Sequence, residues 1–240
     1  MRALRRLYVG GNALASAPEW LRELTALEAL DLAENRLQSV PRGVWDLFSL
    51  SMLDLGHNAI TEIPDEVARL AKLQFLYLAE NPLERLPAEI GNLPRLRYLG
   101  AADAALEKVP DGIGSLKRLE ELRLYGNRLA SLPESIGALA SLRELHLDRN
   151  ALASLPESLG NLEELRELRL RNNRLQRLPK SAAGLVHLGV LDLRNNRLES
   201  VPDEALSLPR LEKLDLRWNE IPERDPAIPL LEARGCRVLI

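Results

Sequence analysis

The sequence predicts an α/β solenoid, a right-handed coil of about ten short repeats with a concave parallel β-sheet along one side. Two observations predict this fold. Asparagine recurs in steps of 23 residues, and apolar residues keep fixed distances from each asparagine. Ala104 stands where one further asparagine would complete the series. The asparagines are Asn12, Asn35, Asn58, Asn81, Asn127, Asn150, Asn173, Asn196 and Asn219.

One repeat unit, residues 142–164, shows how the pattern predicts structure. Its first half, L-x-x-L-x-L-x-x-N from Leu142 to Asn150, alternates apolar and polar residues as a short strand does. Its second half carries Leu155 and Pro156 and brings the chain back. A single unit cannot bury its leucines alone. Parallel stacking of units is therefore predicted to line the leucines into a continuous core, with irregular or short helical segments on the convex side.

The asparagine and the proline of each unit have predicted backbone roles. Backbone groups at the bend after a strand would be buried without partners, and an inward asparagine amide can both donate and accept hydrogen bonds there. The proline fixes the returning backbone and prevents a competing strand. These prolines are Pro18, Pro41, Pro64, Pro87, Pro110, Pro133, Pro156, Pro179 and Pro202.

This unit resembles the leucine-rich repeat, L-x-x-L-x-L-x-x-N-x-L, over almost the whole chain. Its Leu-Pro half is similar to the 23-residue class of intracellular signalling scaffolds of the Scribble and Ras-pathway type. Similar repeats also occur in many bacterial proteins. The resemblance implies a horseshoe-shaped leucine-rich-repeat solenoid, and it is far more specific for fold than for function.

Residues 1–240 are predicted to form one domain, with regular repeats over 1–221 and a C-terminal cap over 222–240. Cys236 and Val238 alternate in the cap as a last short strand, about one residue early in the period. At the other end, Arg2, Arg5 and Arg6 followed by an apolar stretch imitate a signal peptide. The repeat register of that segment favours a first repeat, in which the arginines protect an open sheet edge.

Composition limits the classes of partner. The net charge of −3 gives no electrostatic basis for binding nucleic acid or an anionic membrane. Cys236 is the single cysteine, so an internal disulfide cannot form, which predicts a reducing, cytoplasmic compartment. No run of 18 apolar residues is present to span a bilayer. Nothing in the sequence predicts the oligomeric state.

Two features of the first half of the chain allow more than one interpretation. Trp20 and Trp45 fall in returning halves and are predicted to pack on the convex side rather than bind a ligand. In the fifth repeat, residues 96–118, Ala101 replaces an inward leucine and Ala104 replaces the asparagine. One interpretation is tolerated sequence drift, in which the two substitutions have no function. A dip or flexible joint in the binding face is the other.

Outward side chains lie six, four and two residues before each asparagine position and stack in three columns, about 4.8 Å apart between neighbouring strands. All four tyrosines fall in these columns. Aromatic residues in the central repeats surround small residues such as Gly56 and Gly100, which predicts an aromatic surface with a low floor for a partner's side chain. The predicted residues of this half are Met52, Phe75, Tyr77, Tyr98 and Tyr125.

The C-terminal half of the same face is charged. Arginines interleave with acidic residues in the columns, which predicts a lattice of surface ion pairs that can orient a partner. His146 stands among these charges and is the position closest to a titrating site. The predicted binding residues of this half are Arg123, His146, Arg169, Arg171 and Arg194.

No catalytic, cofactor or metal motif is recognisable. His57, His146 and His187 lie in different repeats without ligand-like spacing, and neither a nucleophile motif nor a Gly-rich phosphate loop occurs. We therefore expect a non-catalytic scaffold that binds a protein or peptide on the concave face. Two alternatives remain open. One is a structural module, either designed or cut from a larger signalling protein, and the other is a regulatory subunit of an enzyme.

Overall fold

The apolar first half of every repeat forms a short strand. The computed structural model describes residues 3–240. Within these residues, eleven parallel strands of three residues each make one sheet whose strand order follows the chain. The predicted right-handed solenoid with a concave parallel sheet is confirmed. The strands are β1 (Arg6–Tyr8), β2 (Ala29–Asp31), β3 (Met52–Asp54), β4 (Phe75–Tyr77), β5 (Tyr98–Gly100), β6 (Glu121–Arg123), β7 (Glu144–His146), β8 (Glu167–Arg169), β9 (Val190–Asp192), β10 (Lys213–Asp215) and β11 (Arg237–Leu239).

The pairing register follows the sequence period. From β1 to β10 each residue pairs with the residue 23 positions later, as in Leu99 with Leu122. The last pair differs, because Leu214 pairs with Val238, 24 positions later. The predicted last strand therefore exists, but it lies one residue late in the period and not one residue early. Helix α2 (Ala227–Ala233) precedes β11 and accounts for the different spacing.

The core is a stack of leucines between the sheet and the returning segments. The middle residue of each strand from β2 to β10 points inward and is almost wholly buried, as at Leu53, Leu122 and Leu145. Each such leucine packs against those of the neighbouring repeats in one continuous apolar cluster. Burial of this row is the main favourable contribution to folding.

A ladder of asparagine side chains holds the bends after the strands. The Oδ1 of Asn150 accepts the backbone N–H of Leu129 at 3.0 Å, and its Nδ2 donates to the carbonyl oxygen of Leu124 at 3.0 Å. Nδ2 also donates within its own repeat to Leu147, again at 3.0 Å. Asparagines at the other repeat positions from Asn35 to Asn219 repeat this pattern, so each bend is bonded to the preceding repeat.

The fifth repeat keeps the backbone of its neighbours although it lacks this asparagine. Strand β5 pairs in register on both sides. Near Ala104, the N–H of Leu83 instead donates to the carbonyl oxygen of Asn81 at 2.8 Å, while Ala105 still donates to Leu83 at 3.0 Å. The substitution therefore removes one step of the ladder without displacing the strand.

The returning halves are short helices, as predicted. Across the described part of the chain, eight of them are 3₁₀ helices of five residues, each preceded by the proline of its repeat, and the ninth is helix α1 (Asp203–Leu206) after Pro202. The 3₁₀ helices are Glu19–Glu23, Arg42–Asp46, Asp65–Arg69, Ala88–Asn92, Asp111–Ser115, Glu134–Ala138, Glu157–Asn161 and Lys180–Gly184.

The two tryptophans of these helices differ in burial. Trp45 is 4% exposed and packs in the core, as predicted, whereas the prediction for Trp20 is wrong because this residue is 45% exposed. Trp20 corresponds to Gly43 one repeat later, where a Cβ atom would stand 3.1 Å from the backbone nitrogen of Arg22 in the preceding repeat. The indole of Trp20 therefore stays about half exposed on the convex side.

Two of the three arginines predicted at the sheet edge lie on strand β1 or directly before it. Arg5 forms an ion pair with Glu28 of the next repeat, and Arg6 is exposed. Arg2 lies outside the described residues. None of the helices within residues 3–240 combines the length and apolar character needed to cross a lipid bilayer.

The gap in the ladder can be filled by mutation. We expect Ala104→Asn to raise the free energy of unfolding by about 1 kcal/mol, because the new amide would accept the Leu83 N–H and donate to the Leu78 carbonyl. Urea denaturation followed by circular dichroism measures the change. The same side chain one position later, in Ala105→Asn, cannot reach these groups and serves as the control. Equal effects of the two substitutions would contradict the proposed ladder geometry.

Removal of an existing step should have the opposite effect. Asn127→Ala leaves the N–H of Leu106 and the carbonyl oxygen of Ala101 without their side-chain partner in the core. We expect the free energy of unfolding to fall by roughly 3 kcal/mol, since buried groups left unsatisfied are costly. The same urea titration measures it, and a loss within experimental error would show that water replaces the amide.

Candidate concave binding face

All ten predicted binding residues lie on one face of the structure. The strand register aligns the outward positions into the three expected columns, so residues of β3 to β9 and the residues just after these strands form a continuous surface. Their part in binding stays a prediction. The residues are Met52, Phe75, Tyr77, Tyr98, Arg123, Tyr125, His146, Arg169, Arg171 and Arg194.

Four of these residues form an aromatic patch, defined as Met52, Phe75, Tyr77 and Tyr98, on strands β3 to β5. The rings of Tyr77 and Tyr98 stack with their centroids 4.6 Å apart and an interplanar angle of 34°. The guanidinium of Arg123, on the neighbouring strand β6, lies over the Tyr98 ring at 5.6 Å from its centroid. All four residues are half-buried, so the patch is ordered by contacts within the chain itself.

The predicted low floor at Gly100 is wrong. The ring of Tyr98 lies across Gly100, and its hydroxyl oxygen is 2.6 Å from the place where a Cβ atom of residue 100 would stand. Because Gly100 has no side chain, the ring of Tyr98 fits over it. The space is therefore filled by this chain and is not a recess for a partner. Burial here disfavours the phenolate and raises the pKa of Tyr98 to about 12.

A charged groove of about 480 Å³ adjoins the aromatic patch. Six of the ten predicted residues line it, from Arg123 to Arg194, and none of the four residues of the aromatic patch does. The groove also contains acidic residues and one arginine that the prediction did not include. Its lining is Arg123, Tyr125, Glu144, His146, Asp148, Arg149, Arg169, Arg171, Asp192 and Arg194.

Ion pairs occupy most of the arginines in the groove. Arg123 pairs with Glu121 and Arg169 with Glu167, each along its own strand. Arg194 contacts Asp192 of its own repeat and Asp215 of the next. The guanidinium of Arg171 makes no ion pair with any residue of 3–240. The predicted lattice is therefore present, and Arg171 is the arginine whose charge it leaves free for a ligand.

Arg149 is the groove residue that sequence reasoning missed. Its guanidinium lies 5.5 Å from the ring centroid of Tyr125 and donates to Asp103, two repeats away, at 2.8 Å. Gly126 lies between these repeats with a φ of 68°, and a Cβ there would stand 2.1 Å from the Asp103 carboxylate. The series Asp103, Gly126 and Arg149, in steps of 23, was the available signal.

A second missed feature is a cluster of Glu144, His146 and Glu167. One potential ligand atom from each residue lies within 4.8 Å of the others, which is a grouping that could hold a metal ion. Burial and the charge of Arg169 lower the pKa of His146, so its imidazole is neutral near pH 7. Burial and the charges of Glu121 and Glu167 raise the pKa of Glu144. A search for spacing between histidines could not find this cluster, because two of its members are glutamates.

Comparisons with known proteins agree with this architecture. A family profile described as "Leucine-rich repeat region" matches residues 30–147 and 87–173, and one described as "Leucine rich repeat" matches residues 154–221. No match was found among curated proteins by sequence.

Several solved structures are similar. A leucine-rich repeat protein of Leptospira interrogans is 30% identical with a TM-score of 0.63, over 100% of this chain and 73% of that one. The plant peptide hormone receptor RGFR1, in complex with RGF2, is 30% identical with a TM-score of 0.84. The Arabidopsis receptor kinase HAESA, in complex with the peptide hormone IDA and the co-receptor SERK1, is 28% identical with a TM-score of 0.81. This chain is covered to 99% in both comparisons and spans 39% and 42% of those receptors.

The buried phenol of the aromatic patch gives a direct test of the geometry. In an alkaline titration followed by tyrosinate absorbance, we expect one ionisation step near pH 12, since burial of Tyr98 opposes its negative charge. Tyr98→Phe should remove that step, and Tyr8→Phe, which changes an exposed tyrosine on β1, should retain it. Circular dichroism at each pH monitors the fold. A step near pH 12 that persists in Tyr98→Phe would show that another group causes it.

Proposed function

Because the chain belongs to the leucine-rich repeat family, we propose that it is a non-catalytic scaffold that binds a protein or peptide on its concave face. Domains of this family are commonly protein-binding modules without catalytic activity. The observation that carries the proposal is the continuity of one surface, in which the aromatic patch meets the charged groove between β5 and β6.

The two parts of this surface suit different parts of one ligand. The rings of Tyr77 and Tyr98, tilted by 34° to each other, offer a partly exposed aromatic area for an apolar side chain, and aromatic residues are frequent anchors at interfaces. Arg171 offers a guanidinium that is not paired within residues 3–240, and a planar guanidinium binds carboxylates with two parallel hydrogen bonds. A short peptide with an apolar residue near one end and an acidic residue near the other fits this order.

Two of the similar structures support a peptide as ligand. Both plant receptors are in complex with a peptide hormone, and both resemble this chain at 28% to 30% identity. Those hormones are ligands of the plant receptors, and only their chemical class, a peptide, is proposed for this chain. The strand columns give the same kind of extended, regularly spaced surface in this chain.

We place the scaffold in the cytoplasm, in intracellular signalling. Cys236 is the single cysteine of the sequence and is buried, so the fold depends on no internal disulfide. The similarity of the repeat to those of signalling scaffolds also supports this location. Fluorescence microscopy of the tagged protein in its source cells tests it, and secretion into the medium would contradict it.

Peptide selection followed by mutation tests the binding face. Peptides selected from a displayed random library on the immobilised protein should bind wild type and lose roughly tenfold or more in affinity with Tyr125→Ala, about 1.4 kcal/mol. Tyr125 stands where the aromatic patch meets the groove and packs under Arg149. Fluorescence polarisation with a labelled peptide measures the dissociation constant.

Phe48→Ala is the matched control for that experiment. Phe48 is 50% exposed and also has an arginine over its ring, Arg69 at 5.2 Å, but it lies in the turn before β3 and not on a strand. We expect this variant to bind the selected peptides as wild type does. The proposed site would be wrong if both substitutions reduced peptide affinity equally. It would also be wrong if the selected peptides bound both variants as tightly as wild type.

A further inference from the structure

Three side chains meet at one point on the wall of the charged groove. Glu144 and His146 are two residues apart on β7, so both point out of the concave face. Glu167 occupies the position on β8 that pairs with Glu144. One oxygen from each carboxylate and one ring nitrogen of His146 lie within 4.8 Å of one another. The sheet itself therefore holds two carboxylates and one imidazole together.

The imidazole of His146 has an unused nitrogen. Its side chain is 7% exposed, and its Nε2 is buried and makes no hydrogen bond within residues 3–240. This nitrogen points to the cluster, because it lies 3.4 Å from Oε2 of Glu144 without the geometry of a hydrogen bond. A buried polar atom without a partner is costly, so native proteins nearly always give it one. A ligand bound here would supply that partner.

The charge around His146 favours a cation as that ligand. Glu121, Glu144 and Glu167 stack as like charges in one column of the sheet. Arginines compensate two of them, Arg123 at Glu121 and Arg169 at Glu167. Within residues 3–240, Glu144 has no guanidinium partner, and His146 is its only ion-pair contact. The uncompensated carboxylate is thus the one beside the unpartnered imidazole nitrogen.

We propose that Glu144, His146 and Glu167 bind a divalent transition-metal ion, for which Zn²⁺ is the best match. Imidazole nitrogen and carboxylate oxygen are common ligands of Zn²⁺, at about 2.0–2.2 Å, whereas Mg²⁺ and Ca²⁺ prefer oxygen ligands alone. The two half-buried glutamates can close on an ion by rotation about their side-chain bonds. Three protein ligands leave one position open for water or for a group of a partner.

The charge of Arg169 is the main opposing influence. This arginine faces His146 across the β7–β8 pair and holds Glu167 through its Nε. That bond uses Oε1 of Glu167 and leaves the second oxygen of the carboxylate available. Removal of the positive charge should therefore strengthen the site, so Arg169→Gln is expected to bind Zn²⁺ more tightly than wild type.

Calorimetric titration of the full, untagged chain with zinc chloride tests the proposal. We expect binding of one ion per chain, without competition from excess magnesium chloride. Glu144→Gln, Glu167→Gln and His146→Ala should each weaken it at least tenfold. Glutamine keeps the shape of glutamate, so the first two variants test the site even if His146→Ala impairs folding, which circular dichroism reports.

Two control variants separate this cluster from the other acidic and histidine residues. Glu121→Gln changes the same column one repeat earlier, where Arg123 already compensates the carboxylate. His57→Ala removes the histidine of an exposed pair in which Nδ1 lies 3.0 Å from Glu80. His57→Ala should bind zinc as wild type does. Glu121→Gln frees the charge of Arg123 beside His146, so it should weaken binding, but less than the cluster substitutions do. Each of three results would overturn the proposal. They are absence of zinc binding to wild type, binding that persists in the three cluster variants, and loss of binding in His57→Ala.

Discussion

The need to satisfy backbone groups at the bend after each strand governs the whole molecule. A chain that leaves a parallel sheet every few residues buries N–H and carbonyl groups that no strand can pair. In every repeat after the first except the fifth, one asparagine supplies a donor and an acceptor at that place, and bonds of both kinds reach the preceding repeat. The leucine rows can therefore stack without distortion, which in turn holds the outward columns in line. The functional face is a consequence of this inward ladder.

The period in the sequence was enough to predict the register of ten strands, because a constant step leaves a single way to align identical units. It also assigned every outward residue to a column. It could not predict the direction of each side chain. Tyr98 lies back over Gly100, and Arg149 reaches Asp103 two repeats away across Gly126. Such contacts depend on rotamers and on glycine gaps between columns, which a pattern within one repeat does not contain.

The departure in the fifth repeat coincides with the change of character on the concave face. The aromatic patch ends at β5, and the charged groove begins at β6. The backbone passes through in register, and Tyr98 fills the space above Gly100, so the surface has no dip at that point. A partner would meet two chemically different surfaces on one rigid support, which suits recognition of an ordered pair of side chains.

The reach of the asparagine bonds has a consequence for how such a chain can change in length. Each amide bonds residues 21 and 26 positions earlier, so it connects only adjacent repeats. Duplication or loss of one complete unit in the gene would leave every remaining bond with an equivalent partner. Insertion of a single codon would instead move one amide away from its carbonyl and turn the following columns out of line. Evolution can therefore change the number of repeats, and so the length of the concave face, by complete repeats.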